Sequence, residues 1–391
     1  MIYFDSAATS YYRPPCVKMA VAEAIDSFGN PSRGAHGASL SADRCMFETR
    51  RLLTELFHGP SPFRTAFSMN ATGALNTAIF GMDLHGGDHL IISPVEHNSV
   101  LRPAYRLREK GVDVRLSSLD ERGVFDPVSF ERILKEIRER DSAGRIVSCL
   151  SHGSNVTGNV LPVHRLSEIC RNYEAILILD AAQTAGILPI DMEKDGIDVL
   201  CFSGHKGLLG PQGTGGLMIR EGLELSESMT GGSGVQTFLR SMPKEMPAHL
   251  EAGTQNAHSI AGLRAALQYA DGRRADFRRK EEALRKMFLE GLSFLGRKTK
   301  ITIYGDQEAP EHLPTVSFNL GDLEAAEVSD ALWQEHEIAV RAGGHCAPLL
   351  HAFFGTEQRG IVRVSFCHEN TEEQIKALLT DLEEIASGRE L

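Results

Sequence analysis

A surplus of positive charge is missing from this sequence. Its 41 Lys and Arg residues are outnumbered by 52 Asp and Glu, for a formal net charge of −11. Nucleic-acid recognition depends on a basic footprint, so a polyanionic partner is not expected. Long apolar runs are missing too. None approaches the roughly 20 residues of a membrane helix, and no membrane partner is expected. Met1-Ile2-Tyr3-Phe4-Asp5 lacks the basic and apolar regions of a secretion signal, which makes a cytoplasmic location the expectation. The seven cysteines (Cys16, Cys45, Cys149, Cys170, Cys201, Cys346 and Cys367) include no Cys-x-x-Cys pair. Zinc ribbons and dithiol redox motifs therefore lack support, and no metal is expected. An odd number of cysteines in a long chain suits reduced thiols. Cys149 and Cys201 lie in apolar runs and read as small buried residues. Cys346 differs, because glycines and a histidine surround it.

What is present is ordinary in bulk and specific in detail. Apolar content of 42% and charge of 24% over 391 residues suit a large domain with a smaller companion. Short apolar runs read as strands at Thr65-Ser68, His89-Ser93, Val112-Leu116, Ile146-Leu150, Ile176-Leu179, Val199-Phe202 and Gly216-Ile219. Between several of them lie amphipathic segments: Asn98-Lys110, Pro127-Arg140 and His164-Tyr173. This alternation predicts an α/β domain built on a mostly parallel seven-stranded sheet flanked by helices. A charged helical stretch over Ile260-Leu295 leads to strands at Thr315-Leu320 and Ile361-Phe366, with helices at Ala325-Glu335 and Thr371-Ser387. The expected division is a large domain over residues 14–262 and a smaller α+β domain over 263–391, joined by segment 1–13. The stretch Gly222-Glu251 reads as irregular.

In such sheets ligands bind at the carboxyl ends of the strands, where His97, Asp180 and Lys206 all fall. Lys206 follows Val199-Leu200-Cys201-Phe202 in Ser203-Gly204-His205-Lys206, with glycines after it. A lysine at the end of a buried strand suits an amine that loses its proton to form an imine. Pyridoxal phosphate needs such a lysine and a carboxylate at its pyridine nitrogen, which Asp180 supplies at the end of Ile176-Leu177-Ile178-Leu179. Asn70-Ala71-Thr72-Gly73 opens a helix whose backbone donors and hydroxyl suit a phosphate, with Ser203 and His205 as further contacts. Gln183 is placed to donate to a ring oxygen, and His97 to stack on the ring. Plainer roles stay open for each: a helix cap for Asn70, a strand-end turn for Asp180, a turn or core histidine for His97.

The ordered series Tyr3-Phe4-Asp5-Ser6-Ala7-Ala8-Thr9, Arg33-Gly34-Ala35-His36, Glu96-His97-Asn98, Ser154-Asn155-Val156-Thr157-Gly158, Asp180-Ala181-Ala182-Gln183, Ser203-Gly204-His205-Lys206-Gly207, Glu251-Ala252-Gly253-Thr254 and Arg341-Ala342-Gly343-Gly344-His345-Cys346-Ala347 spans nearly the whole chain. In this series the sequence resembles the class V aminotransferases among fold-type I pyridoxal-phosphate enzymes. Within them it resembles the group II cysteine desulfurases and selenocysteine lyases. The resemblance implies Lys206 as the Schiff-base lysine, Asp180 at the pyridine nitrogen, His97 on the ring and Gln183 at the ring oxygen. It implies Ala71, Thr72, Ser203 and His205 around the phosphate, and Thr254 reaching the phosphate of a partner subunit in an obligatory homodimer. Asn155, Arg363, Arg341 and His36 would contact the substrate.

Arg363, inside the apolar strand Ile361-Val362-Arg363-Val364-Ser365, needs an anionic partner. A bidentate fork for an amino acid's carboxylate is one answer, and a buried structural ion pair is the other. Attack on a substrate sulfur needs a thiolate beside positive charge, and His345 with Arg341 are the expected source around Cys346. An incidental loop cysteine is the alternative. The implied reaction converts cysteine to alanine. Lys206 takes the α-proton and Cys346 takes the sulfur as a persulfide for a possible acceptor protein. A selenocysteine lyase, another carbon–sulfur lyase or an aminotransferase remains the alternative. Gly344 stands where the group commonly has a second histidine, and Gly73 where it has a glutamate.

Overall fold

The computed structural model describes residues 1–31 and 34–388. All seven expected strands form one sheet, in the spatial order Thr65–Ser68, Gly215–Ile219, Val199–Ser203, Ala175–Asp180, Ile146–Ser151, His89–Ile92, Asp113–Leu116. Gly215–Ile219 runs antiparallel to both neighbours, and the remaining pairs are parallel. The strands are nearly continuous apolar runs because both faces are covered. Successive side chains alternate between the two cores. Leu90, Cys149, Ile178 and Cys201 pack toward helices Ala71–Gly81 and Asn98–Glu109. Ile91, Leu150, Leu179 and Leu200 pack toward Gly37–Phe57, Pro127–Arg140 and Val163–Asn172.

The smaller unit is an antiparallel sheet in the order Arg341–Gly343, Ile361–Ser365, Thr315–Leu320, Ile301–Ile303. Helices Arg274–Leu295, Ala325–His336 and Glu372–Ala386 close it around a core of Phe288, Phe318, Leu332, Val364 and Leu378. The single helical stretch expected over 260–295 is two helices, Ala257–Ala270 and Arg274–Leu295. Gly272 separates them with φ +67°, a left-handed conformation that glycine adopts at little cost. The first helix packs on Pro15–Ser27 and Gly37–Phe57 and the second on Glu372–Ala386, so the packing changes hands at Asp271–Arg273.

The N-terminal residues belong to both units. Ile2–Tyr3 pairs in parallel with Ile338–Ala339, and Phe4 is fully buried in the smaller core. Farther along, Ser10 donates from its backbone to His205 O (2.9 Å) and from Oγ to Lys206 O (2.8 Å).

Candidate active site

Two neighbouring strands deliver the central pair. Ala175–Asp180 ends on Asp180, and Val199–Ser203 runs parallel beside it with Cys201 opposite Asp180 before the turn to Lys206. Both strands leave the sheet at the same edge, so a buried amine and a buried carboxylate face one cleft. Of the expected site residues, Ala71, Thr72, His97, Asn155, Asp180, Gln183, Ser203, His205 and Lys206 all line it.

Burial sets the electrostatics, because a low-dielectric site disfavours each group's charged form. It pulls Lys206 down to about 8, opposed by Asp180 and reinforced by Arg363 and Arg341. It pushes Asp180 up, opposed by the Ala182 N–H donated to Oδ1 at 2.8 Å and then by Lys206. Lys206 is thus a base held near neutrality, which a surface lysine is not.

His97 is the N-cap of Asn98–Glu109. Its Nδ1 accepts the Ser99 N–H at 3.0 Å and lies 2.8 Å from Ser99 Oγ, which in turn lies 2.7 Å from Thr72 Oγ1. An Nδ1 that accepts leaves the ring proton on Nε2. Burial, followed by Lys206, Arg102 and Arg341, holds His97 down to about 4, so the ring is neutral. The cap reading of Asn70 also holds: Oδ1 accepts the Gly73 N–H at 2.9 Å. A Cβ at Gly73 would fall 2.3 Å from Ser68 Oγ. The glycine therefore lets Ser68 keep its 3.2 Å bond to Asn70 O, and a glutamate there would turn Ser68 away.

Pyridoxal phosphate fits this donor set. Ser203 Oγ is buried without a hydrogen-bond partner among the described residues, and a buried hydroxyl in that state calls for an acceptor. It lines the cleft with the N-terminal turn of Ala71–Gly81, where an anion is favoured. Gln183 Nε2 donates to Ala7 O at 3.1 Å, and His205 Nδ1 lies 3.0 Å from Thr9 Oγ1.

The smaller unit contributes less uniformly. Arg363 is 2% exposed; its Nη2 donates to Asp5 Oδ1 at 2.6 Å and its Nη1 to Asn155 O at 3.1 Å. The buried ion pair posed as an alternative is therefore present. Arg363 Nε still lacks a partner among the described residues, so the fork is not fully used. Arg341 is exposed on the edge strand opposite Arg363. Cys346 is exposed, and its carbonyl accepts the Asn98 N–H at 2.8 Å, next to His97. His345 corrects an expectation. It is 5% exposed, its Nε2 donates to Ile361 O at 2.9 Å, and burial followed by Arg363 drives it down to about 3. A neutral, inward-facing ring supplies no positive charge to Cys346.

Arg363, Arg341 and Cys346 do not line the cleft itself, and two further expected residues, Thr254 and His36, lie elsewhere. Thr254 is exposed in a separate depression with Arg50 and Glu251. His36 sits at the start of Gly37–Phe57 with Nε2 3.2 Å from Ser39 Oγ. Arg33, in the same motif, lies outside the described residues. Sequence reasoning missed Ser99 and gave Glu96 no role. Fully buried Glu96 accepts from Ser93 Oγ (2.6 Å), Ser151 N–H (2.9 Å) and Ser151 Oγ (2.6 Å), and burial pushes it up to about 7. These bonds tie the His97 turn to a strand end 55 residues away, a separation no local pattern reveals.

With this geometry in place, the comparisons with known proteins are informative. The family model for class-V aminotransferases matches residues 2–378, and the chain belongs to that family. A protein of Methanothermobacter thermautotrophicus named "probable cysteine desulfurase" is 33% identical over 391 residues, covering 98% of this chain and 94% of its own. A cysteine desulfurase of Escherichia coli O127:H6 is 29% identical over 395 residues, covering 98% and 93%. Among solved structures, an apo cysteine desulfurase from Thermococcus onnurineus NA1 superimposes with a TM-score of 0.89 at 31% identity, covering 99% of this chain and 95% of that one. Among the described residues, no helix is long and apolar enough to cross a membrane.

Proposed function

We propose that this chain is a pyridoxal-phosphate-dependent cysteine desulfurase that converts L-cysteine to L-alanine and takes the sulfur onto Cys346. The observation that carries the reading is a buried pair in one cleft with a thiol-bearing loop tied beside it. Buried Lys206 and Asp180 share a cleft, and the exposed Cys346 loop is bonded to the residue after His97. The names of the full-length relatives agree with it.

Asp180 would hold the cofactor's ring nitrogen, His97 its face and Gln183 its ring oxygen, with Ala71, Thr72, Ser203 and His205 at the phosphate. When bound, pyridoxal phosphate supplies an electron-withdrawing ring that stabilises negative charge at the substrate's α-carbon. Lys206, at about 8, is deprotonated often enough near neutrality to take the α-proton. Arg363 receives the substrate carboxylate, with Asn155 and Arg341 beside it. Cys346 Sγ attacks the substrate sulfur. The carbon–sulfur bond breaks with its electron pair remaining on carbon, protonation there gives alanine, and Cys346 keeps the persulfide. An exposed thiol suits onward delivery to an acceptor protein. Thr254 lies apart from its own chain's cleft, in a depression it shares with exposed Val235, which supports a homodimer in which it serves the partner's phosphate.

Incubation with cysteine and selenocysteine, quantifying alanine and released chalcogen separately, tests the reading. Wild type is expected to give alanine and persulfide from cysteine. Cys346→Ala is expected to lose alanine formation from cysteine while its borohydride-reducible chromophore persists. Full activity in that variant would remove the nucleophile. Pyruvate with ammonia would mark an eliminating lyase, and stoichiometric keto-acid exchange an aminotransferase.

A further inference from the structure

The motif Tyr3-Phe4-Asp5-Ser6-Ala7-Ala8-Thr9 takes no part in the chemistry above, yet it is laid across the site. Ser365 N–H donates to Phe4 O (2.8 Å), and Ala7 N–H to Ser365 Oγ (2.9 Å). Tyr3 Oη donates to Asp5 O (3.1 Å) and Thr9 O (3.0 Å). Asp5 is thereby fixed beside the Ile361–Ser365 strand, with its side chain largely buried at 17% exposure.

From that position Asp5 meets Arg363, whose guanidinium has its nitrogens unequally occupied. Nη2 is bonded to Asp5 and Nη1 to Asn155 O, while the buried Nε–H has no partner among the described residues. A buried guanidinium with no anion would carry a large desolvation cost, and Asp5 offsets it. The plane of the fork is then set by two contacts, and unsatisfied N–H donors remain for a second anion. The charges of Arg363 and Asp5 both reach Lys206, in opposite senses, and Ser6 and Ser365, near this pair along the chain, line one pocket with Lys206.

We infer that Asp5 is the positioning residue that sets the Arg363 guanidinium for a substrate's α-carboxylate. The inference rests on the reading of Arg363 as the carboxylate receptor. Without Asp5, Arg363 keeps only the Asn155 carbonyl, and the fork turns away from the pose that accepts two parallel bonds. The loss falls on ligands that carry a carboxylate and spares those that do not.

The experiment is calorimetric titration of the holoenzyme with L-alanine and with ethylamine, which is alanine without its carboxylate. Wild type is expected to prefer alanine. Asp5→Ala is expected to weaken alanine binding by about ten-fold, as for a lost charged hydrogen bond, with ethylamine binding unchanged. Asp5→Glu keeps the ion pair that folding needs but extends the side chain by about 1.5 Å, and the preference is expected to fall there as well. Equal losses for both ligands, or a Glu variant with the wild-type preference, would overturn the role of Asp5. If wild type itself shows no preference, the assignment of Arg363 fails first, and the two failures are distinguishable.

Discussion

The two sides of the cleft are built differently. The side from the large sheet consists of strand ends and a capped helix. Lys206, Asp180, His97 and Ser203 each follow an apolar run buried on both faces, and the backbone N–H groups of Ala182 and Ser99 hold Asp180 and His97 in place. The side from the smaller sheet is an edge. Cys346 is exposed, and His345 and Cys346 have φ of +46° and +57°. Left-handed backbone costs a non-glycine residue about 1–2 kcal/mol. The loop is held there by Asn98 N–H on Cys346 O and Asn155 Nδ2 on His345 O (2.7 Å). On the proposed reading, the first side binds a group permanently and the second presents a nucleophile that must be reached from outside.

Removing one group from each side is the strongest way to test that contrast. Lys206→Ala is expected to abolish the borohydride-reducible chromophore and to lower turnover by about 10³-fold or more. Cys346→Ala is expected to spare the chromophore and lose only sulfur transfer. Absorbance before and after borohydride, beside alanine formation, reads both effects. A variant at Lys206 that still carries a reducible chromophore would break the comparison, because another amine would then serve the first side.

The first side was legible from the sequence for a physical reason. Strands buried on both faces are written as unbroken apolar runs, so their ends mark the edge proposed as catalytic, and Asp180 and Lys206 stand one residue and a few residues past those runs. The turn proposed to hold the phosphate stood out through Asn70 and Thr72 at a helix start. The second side was legible only in part. Arg363 stood out as a charge within an apolar strand, but its partner Asp5 is 358 residues away. His345 looked like a cationic neighbour of Cys346, because adjacency along the chain does not say which way a ring faces. Its positive φ turns the ring toward Ile361 O instead. Glu96 and Ser151 meet only because parallel strands put their ends side by side.

His345 provides a smaller effect with a definite sign. Its folded-state value near 3 lies below the ordinary histidine value of about 6.5. Between those values the unfolded chain binds the extra proton, so the stability this ring contributes is complete above about 6.5 and is lost as pH falls toward 3. His345→Gln is expected to remove that part of the acid dependence, at most about 1.4 kcal/mol per pH unit. Urea midpoints at pH 5 and pH 7 measure it. Wild type and variant should converge at the lower pH, and a gap that widens on acidification would mean the ring is charged in the folded state.

The smallest effect is expected one residue earlier. Gly344 is exposed, and a Cβ built on it meets nothing within 4 Å. Its φ also lies outside the left-handed range that the preceding Gly343 occupies at +107°. A side chain at Gly344 therefore costs neither packing nor backbone strain. Gly344→His would place next to this loop a solvated imidazole with an ordinary value of about 6.5, the kind of neighbour that buried His345 cannot be. A nearby imidazolium favours a thiolate, but solvent screens exposed charges to about 1 kcal/mol or less. The expected outcome is an unchanged thermal midpoint and a rise of no more than about five-fold in the rate of Cys346 alkylation by iodoacetamide at pH 6, vanishing by pH 8. A variant that loses stability would show that the loop is already packed at this edge, and that the two sides of the cleft are less different than their contacts make them.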